Sequence, residues 1–122
     1  MRVALAIGAV AVAALTSLAA AASPPTGGFY GLVFKGPIRP LCTIDEPCDA
    51  PASVTLLFSR AGRTTAARSA SDGRYRVLLP VGIYTVTTKE KIGIQRNIRP
   101  RNVKVRSGHV DQLDFFIDTG IR

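Results

Sequence analysis

The chain has 122 residues, and its 16 Lys and Arg against 8 Asp and Glu give a formal net charge of +8. Two cysteines and one distant histidine do not complete a tetrahedral metal site of the usual cysteine and histidine type. The positive charge favours anionic partners, such as envelope polymers, anionic lipid, acidic proteins or nucleic acid.

Residues 1–22 have the three parts of a secretory signal peptide. Met1-Arg2 is a positive start, 3–15 is an unbroken apolar run, and Ala20-Ala21-Ala22 is an A-x-A cleavage site. A membrane anchor is the alternative, and the short, alanine-rich run disfavours it. The sequence therefore predicts cleavage before Ser23 and a mature chain without an integral membrane segment. That chain would be extracellular, either secreted or associated with the cell envelope.

The cysteines, Cys42 and Cys48, lie in a proline-rich loop after the first predicted strand. In an exported chain they are expected to be oxidised to each other. This loop also holds three acidic residues: Asp45, Glu46 and Asp49. They are interpreted either as turn-stabilising side chains or as a cation site, although their spacing matches no EF-hand. We predict a disulfide, no bound metal and no cofactor.

The remaining chain is divided into a flexible lead over 23–28, a β-domain over 29–117 and a tail over 118–122. The lead contains two prolines and two glycines, which do not suit a central strand. No segment shows helical spacing. The predicted strands are 29–35, 54–59, 64–70, two within 71–86, 102–106 and 110–117.

Alternating apolar residues predict which side chains face the core. The first strand is apolar on both faces, which indicates either a central position in a sheet or a strand covered by a neighbour. The small, polar strand over 64–70 is predicted to be an edge, with Arg63 and Arg68 opposing pairing with other chains. The inward side chains are expected to be Val54, Leu56, Phe58, Tyr75, Val77, Leu79, Tyr84, Val86, Val103, Val105, Leu113, Phe115 and Ile117.

The strongest local signal is the stretch over 71–86, which is predicted to be strand, turn and strand with a second turn leading in. Asp72-Gly73 is typical of a tight hairpin turn, because glycine tolerates the positive φ that such a turn needs. Pro80 and Gly82 fit the second and fourth positions of a type I turn. These four residues are therefore assigned structural roles.

Seven short strands separated by turns predict an all-β, antiparallel sandwich, with a closed barrel as the alternative. The pattern Asp72-Gly73-x-Tyr75 followed by Leu79-Pro80-x-Gly82-x-Tyr84 resembles carboxypeptidase regulatory-like domains. Those domains are similar to transthyretin, and the resemblance implies a seven-stranded, prealbumin-like Greek-key sandwich. It implies a non-catalytic accessory role and transfers no catalytic residue.

The signal peptide, the cysteine-containing loop and the terminal stretch over 118–122 also resemble a group of small secreted actinobacterial proteins of uncharacterised function. Two enzyme readings are rejected. His109 stands in a turn without a designated nucleophile. Asp118-Thr119-Gly120 resembles the aspartic peptidase motif, but only two residues follow it to support a paired carboxylate. We predict that the chain is not an enzyme.

A basic segment is the remaining candidate site, and it is interpreted either as a solvated face or as a surface that binds anions. It lacks aromatic residues, which disfavours nucleic acid, and the absence of Trp disfavours sugar stacking. The predicted function is a secreted module for protein or cell-envelope interaction. The alternative is a module that binds an anionic envelope polymer or carbohydrate. The basic segment consists of Lys89, Lys91, Arg96, Arg99, Arg101, Lys104 and Arg106.

Overall fold

The computed structural model describes residues 24–92 and 97–121. The predicted signal peptide and Arg96 of the basic segment lie outside these residues. Within them the chain forms ten strands in two sheets and no helix. These residues therefore contain no helix that could cross a membrane. The strands are β1 (Thr26–Gly36), β2 (Ala50–Pro51), β3 (Thr55–Arg60), β4 (Arg63–Arg68), β5 (Arg74–Pro80), β6 (Gly82–Thr88), β7 (Asn97–Arg99), β8 (Asn102–Val105), β9 (Val110–Gln112) and β10 (Phe115–Asp118).

Strand β1 is the centre of the larger, six-stranded sheet, which confirms that the first strand has a central position. Its first half pairs antiparallel with β5 and parallel with β9. Its second half pairs parallel with β10 and antiparallel with β2, and β7 extends the sheet beyond β10. Every part of the sheet is therefore connected through one 11-residue strand.

This strand begins at Thr26, inside the predicted flexible lead over 23–28, so that boundary is corrected. The physical reason is close packing. A Cβ at Gly27 would overlap the carbonyl oxygen of Arg106, and one at Gly28 would overlap that of Val77. The two glycines permit neighbouring backbones to approach. The prolines and glycines of this segment had predicted a flexible lead instead.

The smaller sheet has four antiparallel strands in the order β4-β3-β6-β8. In the described ranges β4 pairs only with β3, which confirms that it is an edge strand. The predicted role of Arg68 at that edge is not what the contacts show. Its guanidinium turns back across the sheet, where it donates to Glu90 and to Thr55.

The two sheets share one hydrophobic core, with aromatic rings at its centre. Phe58 of the smaller sheet stacks on Phe29 of the larger, with ring centroids 6.4 Å apart. It also meets Phe115 edge-on at 6.1 Å. Twelve of the thirteen predicted inward residues are buried in this core, and Leu113 packs against it partly buried. The alternation of the sequence therefore identified the core correctly.

The prediction of a wholly antiparallel, seven-stranded arrangement is wrong, because β1 pairs in parallel with β9 and β10. The predicted strand over 110–117 is two strands, interrupted at Leu113 and Asp114. There Leu113 donates its N–H to Tyr30, and the Asp114 carboxylate accepts from the N–H of Leu32. Tyr75 donates its hydroxyl to the carbonyl of Leu113, so side chains hold the interruption in place.

The stretch over 71–86 is not a hairpin, because its two strands belong to different sheets: β5 pairs with β1, and β6 with β3 and β8. The turn at Asp72-Gly73 is nevertheless present, and it joins β4 to β5. Gly73 has φ +87° and donates to Ala70, and Asp72 accepts from the N–H of Arg74. Val81 alone separates the two strands, and its N–H is donated to Pro25. Alternation indicates the buried face of a strand, but it does not identify the neighbouring strand.

Replacement of Phe58 by Ala is expected to lower the free energy of unfolding by about 3–5 kcal/mol, because its ring contacts both sheets. Urea denaturation followed by circular dichroism measures the change. The control is Ile83→Ala, a strand residue that is 65% exposed and should cost under about 0.5 kcal/mol. Equal losses in the two variants would contradict the assigned core.

Candidate functional site

The outward side chains of the smaller sheet form a polar face, here called the threonine face. Because Leu56 and Phe58 of β3 point into the core, the residues between them point outward. Register then places the outward residues of the other strands beside them. The threonine face consists of Thr55, Leu57, Ser59, Thr64, Ala66, Arg68, Ile83, Thr85, Thr87, Asn102 and Lys104.

One row of polar groups crosses all four strands of this face. Ser59 lies opposite Thr64 and Thr85, and Thr85 lies opposite Asn102. The hydroxyls of Ser59 and Thr64 are 3.0 Å apart, and the Thr85 hydroxyl donates to the Asn102 side-chain oxygen at 3.4 Å. The sequence alone does not reveal this row, because threonine in a strand is also explained by β-propensity.

A cleft of about 530 Å³ opens at one end of the threonine face. It brings together Lys89, just after β6, and Arg101, just before β8. Backbone hydrogen bonds fix both positions: Lys89 donates its N–H to Thr55 at 3.0 Å, and Arg101 accepts from Val86 at 2.7 Å. The cleft is lined by Leu57, Thr85, Thr87, Thr88, Lys89, Asn97 and Arg101.

Two members of the basic segment therefore meet at this cleft, and Lys104 lies farther along the same face. Neither Lys89 nor Arg101 forms a salt bridge in the part of the chain that the structure describes. Both side chains are exposed. The cleft thus presents two positive charges that form no salt bridge within 24–92 and 97–121, beside threonine hydroxyls. This arrangement suits an anionic, hydroxylated ligand.

The rest of the basic segment is directed elsewhere. Arg99 lies over the ring of Phe116 in the larger sheet, 5.5 Å from its centroid. Arg106 donates to the Asp111 carboxylate at 2.6 Å, and this bond lowers the pKa of Asp111. Lys91 is exposed and does not line the cleft of Lys89 and Arg101. The six basic residues that the structure describes therefore do not form one face.

Glu90 is the acid nearest to the cleft in sequence, and its charge is already compensated. Its carboxylate accepts from the N–H of Thr55 at 2.8 Å and from Arg68 at 3.0 Å. The backbone hydrogen bond from Thr55 is the main cause that lowers the pKa of Glu90, with a further contribution from Arg68. Glu90 therefore anchors the end of the sheet and leaves Lys89 without an acidic partner.

A second surface lies on the outer side of the larger sheet, here called the Tyr30 patch. Tyr30 is 43% exposed, Leu78 61% and Val110 36%. Gly28 lies between Leu78 and Val110 in the register, so the middle of the patch has no side chain. Arg76 and Gln112 flank Tyr30. Tyr30 differs in this from Tyr75 and Tyr84, which are buried as the alternation predicts.

The cysteine loop forms the predicted disulfide. Cys42 and Cys48 are bonded, with Cα atoms 5.5 Å apart, within the usual range for a disulfide. Arg39 spans the loop, donating to the Pro47 carbonyl and pairing with Glu46 at 3.0 Å. In the ranges 24–92 and 97–121 no group of three or more His, Cys, Asp or Glu side chains is placed to hold a metal ion.

The remaining candidate residues have structural positions. Thr119 donates its N–H to Gly36 and its hydroxyl to Pro37, so the end of the chain is fastened beside β1. Asp118 accepts from the N–H of Gly120 just after β10. His109 is exposed in the turn after Gly108, close to Asp111.

The lowered pKa of Glu90 predicts a pH-dependent contribution to stability. A carboxyl whose folded pKa lies below its ordinary value, near 4.5, stabilises the fold above that value. This contribution is lost as the pH falls through the lowered pKa. Glu90→Gln should therefore lower the melting temperature at neutral pH, and the difference should disappear at acid pH. Thermal melts across this range measure it.

Asp45→Asn is the matched control, because Asp45 lies exposed in the cysteine loop. It should melt like the wild type throughout the range. A Glu90→Gln deficit of constant size at every pH would contradict the proposed charge effect.

No protein-family model and no curated protein matches the chain. Among solved structures, the Bacillus anthracis TIE protein has a TM-score of 0.53 at 14% identity, over 77% of this chain and 16% of that one. A DUF3823 family protein from Parabacteroides merdae ATCC 43184 has a TM-score of 0.48 at 19% identity, over 78% of this chain and 47% of that one. Another DUF3823 family protein, from Bacteroides ovatus ATCC 8483, has a TM-score of 0.47 at 15% identity, over 76% of this chain and 44% of that one.

The chain therefore spans less than half the length of each of these structures. At such low identity the similarity to the TIE protein concerns the fold alone. It supports an all-β domain and does not identify the carboxypeptidase regulatory-like family.

Proposed function

We propose that this chain is an exported, non-catalytic module that binds an anionic polymer of the cell envelope through the threonine face. The observation that carries the proposal is the cleft of about 530 Å³ with Lys89 and Arg101 at its margin. Each cation can receive a carboxylate or phosphate of the polymer, and charge-assisted hydrogen bonds of this kind are about twice as strong as neutral ones.

The polar row across the sheet supplies the rest of the recognition surface. Ser59, Thr64, Thr85 and Asn102 lie on four adjacent strands, which spans about 14 Å at the usual strand spacing. Hydroxyl and amide groups at this spacing suit the hydroxyls of a saccharide backbone, while Lys104 extends the positive charge along the same face. A polymer lying across the strands would contact both the cleft and the row.

Export is part of the same proposal. The Cys42–Cys48 disulfide is typical of chains that fold in an oxidising compartment, and the signal-like segment over 1–22 agrees with this. The non-catalytic role is supported by His109, whose exposed turn holds no hydrogen-bonded nucleophile among the described residues. The proposed fold family remains the carboxypeptidase regulatory-like one.

The test is binding of the mature chain to isolated anionic envelope polymer, measured by co-sedimentation at increasing salt. Affinity should fall steeply with salt, because the contacts are between exposed charges. Lys89→Ala with Arg101→Ala should weaken binding by about tenfold or more, from the loss of two charge-assisted contacts.

Arg74→Ala with Arg76→Ala is the charge-matched control, because it removes the same charge from the opposite sheet. Equal losses in the two double variants would show that net charge alone is responsible. Binding that does not depend on salt would also contradict the proposal.

A protein partner at the Tyr30 patch is a second candidate function, favoured by one specific observation. An aromatic ring and two aliphatic side chains are exposed together around Gly28. Any larger residue at this position would place a Cβ against the carbonyl oxygen of Val77. Arg76 beside them adds positive charge. An apolar group with a neighbouring acid would fit this surface, since exposed apolar patches with a polar rim are typical of protein contacts.

Leu78→Glu should abolish capture of an envelope protein by the immobilised chain, because it places a charge in the centre of the patch. Quantitative pull-down from envelope extract measures this. Ile83→Glu is the matched control, since Ile83 is 65% exposed against 61% for Leu78 but lies on the other sheet. Capture that survives Leu78→Glu, or is lost equally in both variants, would count against the patch.

A further inference from the structure

The turn between β3 and β4 places two arginines directly opposite each other. Arg60 and Arg63 are cross-strand partners, separated by the two-residue turn Ala61-Gly62. Both turn residues have positive φ, +51° at Ala61 and +78° at Gly62. Such turns match the twist of the flanking strands, but positive φ is uncommon for alanine. The result is a tight hairpin end with two guanidinium groups on one side of the sheet.

This pair is unfavourable without a counterion, because like charges directly opposite in a sheet repel each other. The arginines that form salt bridges in the described ranges are Arg39, Arg68, Arg74 and Arg106. Arg60 and Arg63 are not among them, and both are exposed. Two positive charges thus lie on opposite strands, and no described acidic side chain forms a salt bridge with either.

The backbone of β6 accommodates Arg60 in this position. A Cβ at Gly82 would overlap Arg60 Nε and lie 2.7 Å from its guanidinium carbon. Gly82 also has φ +154°, a conformation that favours glycine. The absence of a side chain at Gly82 therefore makes room for the guanidinium at the end of the sheet. This contact is a second role for Gly82, beside the turn that the sequence predicts there.

The two arginines line a cleft of about 380 Å³ at the opening between the sheets. Thr65 also faces it, opposite Phe58 in the register, and can add a hydroxyl donor. The Tyr84 hydroxyl is already donated to the Pro80 carbonyl at 2.6 Å. No acid lines this cleft, whose residues are Pro24, Arg60, Ala61, Arg63, Thr65, Pro80 and Tyr84.

We propose that this cleft binds a terminal phosphate group, with Arg60 and Arg63 as its two charged donors and Thr65 as a third, neutral donor. Charge balance selects the ligand. A phosphate monoester carries up to two negative charges near neutral pH and offers three terminal oxygens, which matches two planar guanidinium forks. A single carboxylate would neutralise one arginine and leave the other uncompensated.

This site is separate from the Lys89 cleft of the proposed function. Lys89 is bonded to Thr55 at the start of β3, whereas Arg60 is at its end, about 16 Å away along the strand. The Lys89 cleft also lies on the outer face of the sheet, and the arginine cleft lies on the core side. Binding at one site can therefore be tested, and disproved, without affecting the other.

The test is titration of the mature chain with phenyl phosphate and, separately, with benzoate, followed by nuclear magnetic resonance of the arginine side-chain N–H groups. Phenyl phosphate should shift the Arg60 and Arg63 signals and bind about tenfold more tightly than benzoate at neutral pH. Its affinity should decline as the pH falls below the second phosphate pKa, about 6. Equal affinity for benzoate would overturn the assignment to phosphate.

Arg60→Gln and Arg63→Gln should each weaken phenyl phosphate binding by about tenfold. Lys89→Gln with Arg101→Gln should leave it unchanged, which separates this site from the polymer site. Without ligand, Arg63→Gln should melt at a higher temperature than the wild type, because the repulsion is removed. Undiminished binding in both single variants, or a lower melting temperature for ligand-free Arg63→Gln, would overturn the proposal.

Discussion

The close approach of neighbouring chains to β1 is the constraint on which the rest of the structure depends. β1 pairs along both edges, so its backbone must fit between β5 and β2 on one side and β9 and β10 on the other. A Cβ at Gly27, Gly28 or Gly31 would overlap a carbonyl oxygen of a neighbouring segment. These glycines let the strand enter the sheet, and the parallel pairing with β9 and β10 then brings Phe115 and Ile117 into the core.

Because β1 occupies the centre of the larger sheet, the candidate binding surfaces lie around the smaller sheet and on the outer side of the larger one. β5 leaves the larger sheet at Pro80, and β6 enters the smaller one at Gly82. At Gly82 the first residue of β6 leaves room for the Arg60 side chain, and Lys89 directly follows the last residue of β6. The two basic clefts therefore lie near opposite ends of β6.

Much of the core followed from alternation, because burial of one face imposes a period of two on any strand. The oxidising compartment of an exported chain predicted the Cys42–Cys48 bond. The small polar residues of β4 predicted its position at the edge of a sheet. The candidate site followed only in part. The basic segment was recognised by its charge, but Lys89 and Arg101 meet at a cleft, while Arg99 and Arg106 turn to Phe116 and Asp111. The partners of these side chains lie on other strands. The density of charge along the sequence therefore does not show which basic residues share a cleft.

The sequence by itself determined that the chain is all-β, which residues form its core, where its turns occur and that its cysteines pair. These properties depend on local conformational preference and on the separation of apolar from polar residues, both of which are written along the chain. Tertiary structure alone decided the pairing of strands, the parallel registers and the opposition of Arg60 to Arg63 across a tight turn. The physical reason is that backbone hydrogen bonds are alike at every residue, so the choice of neighbour depends on how the whole core closes.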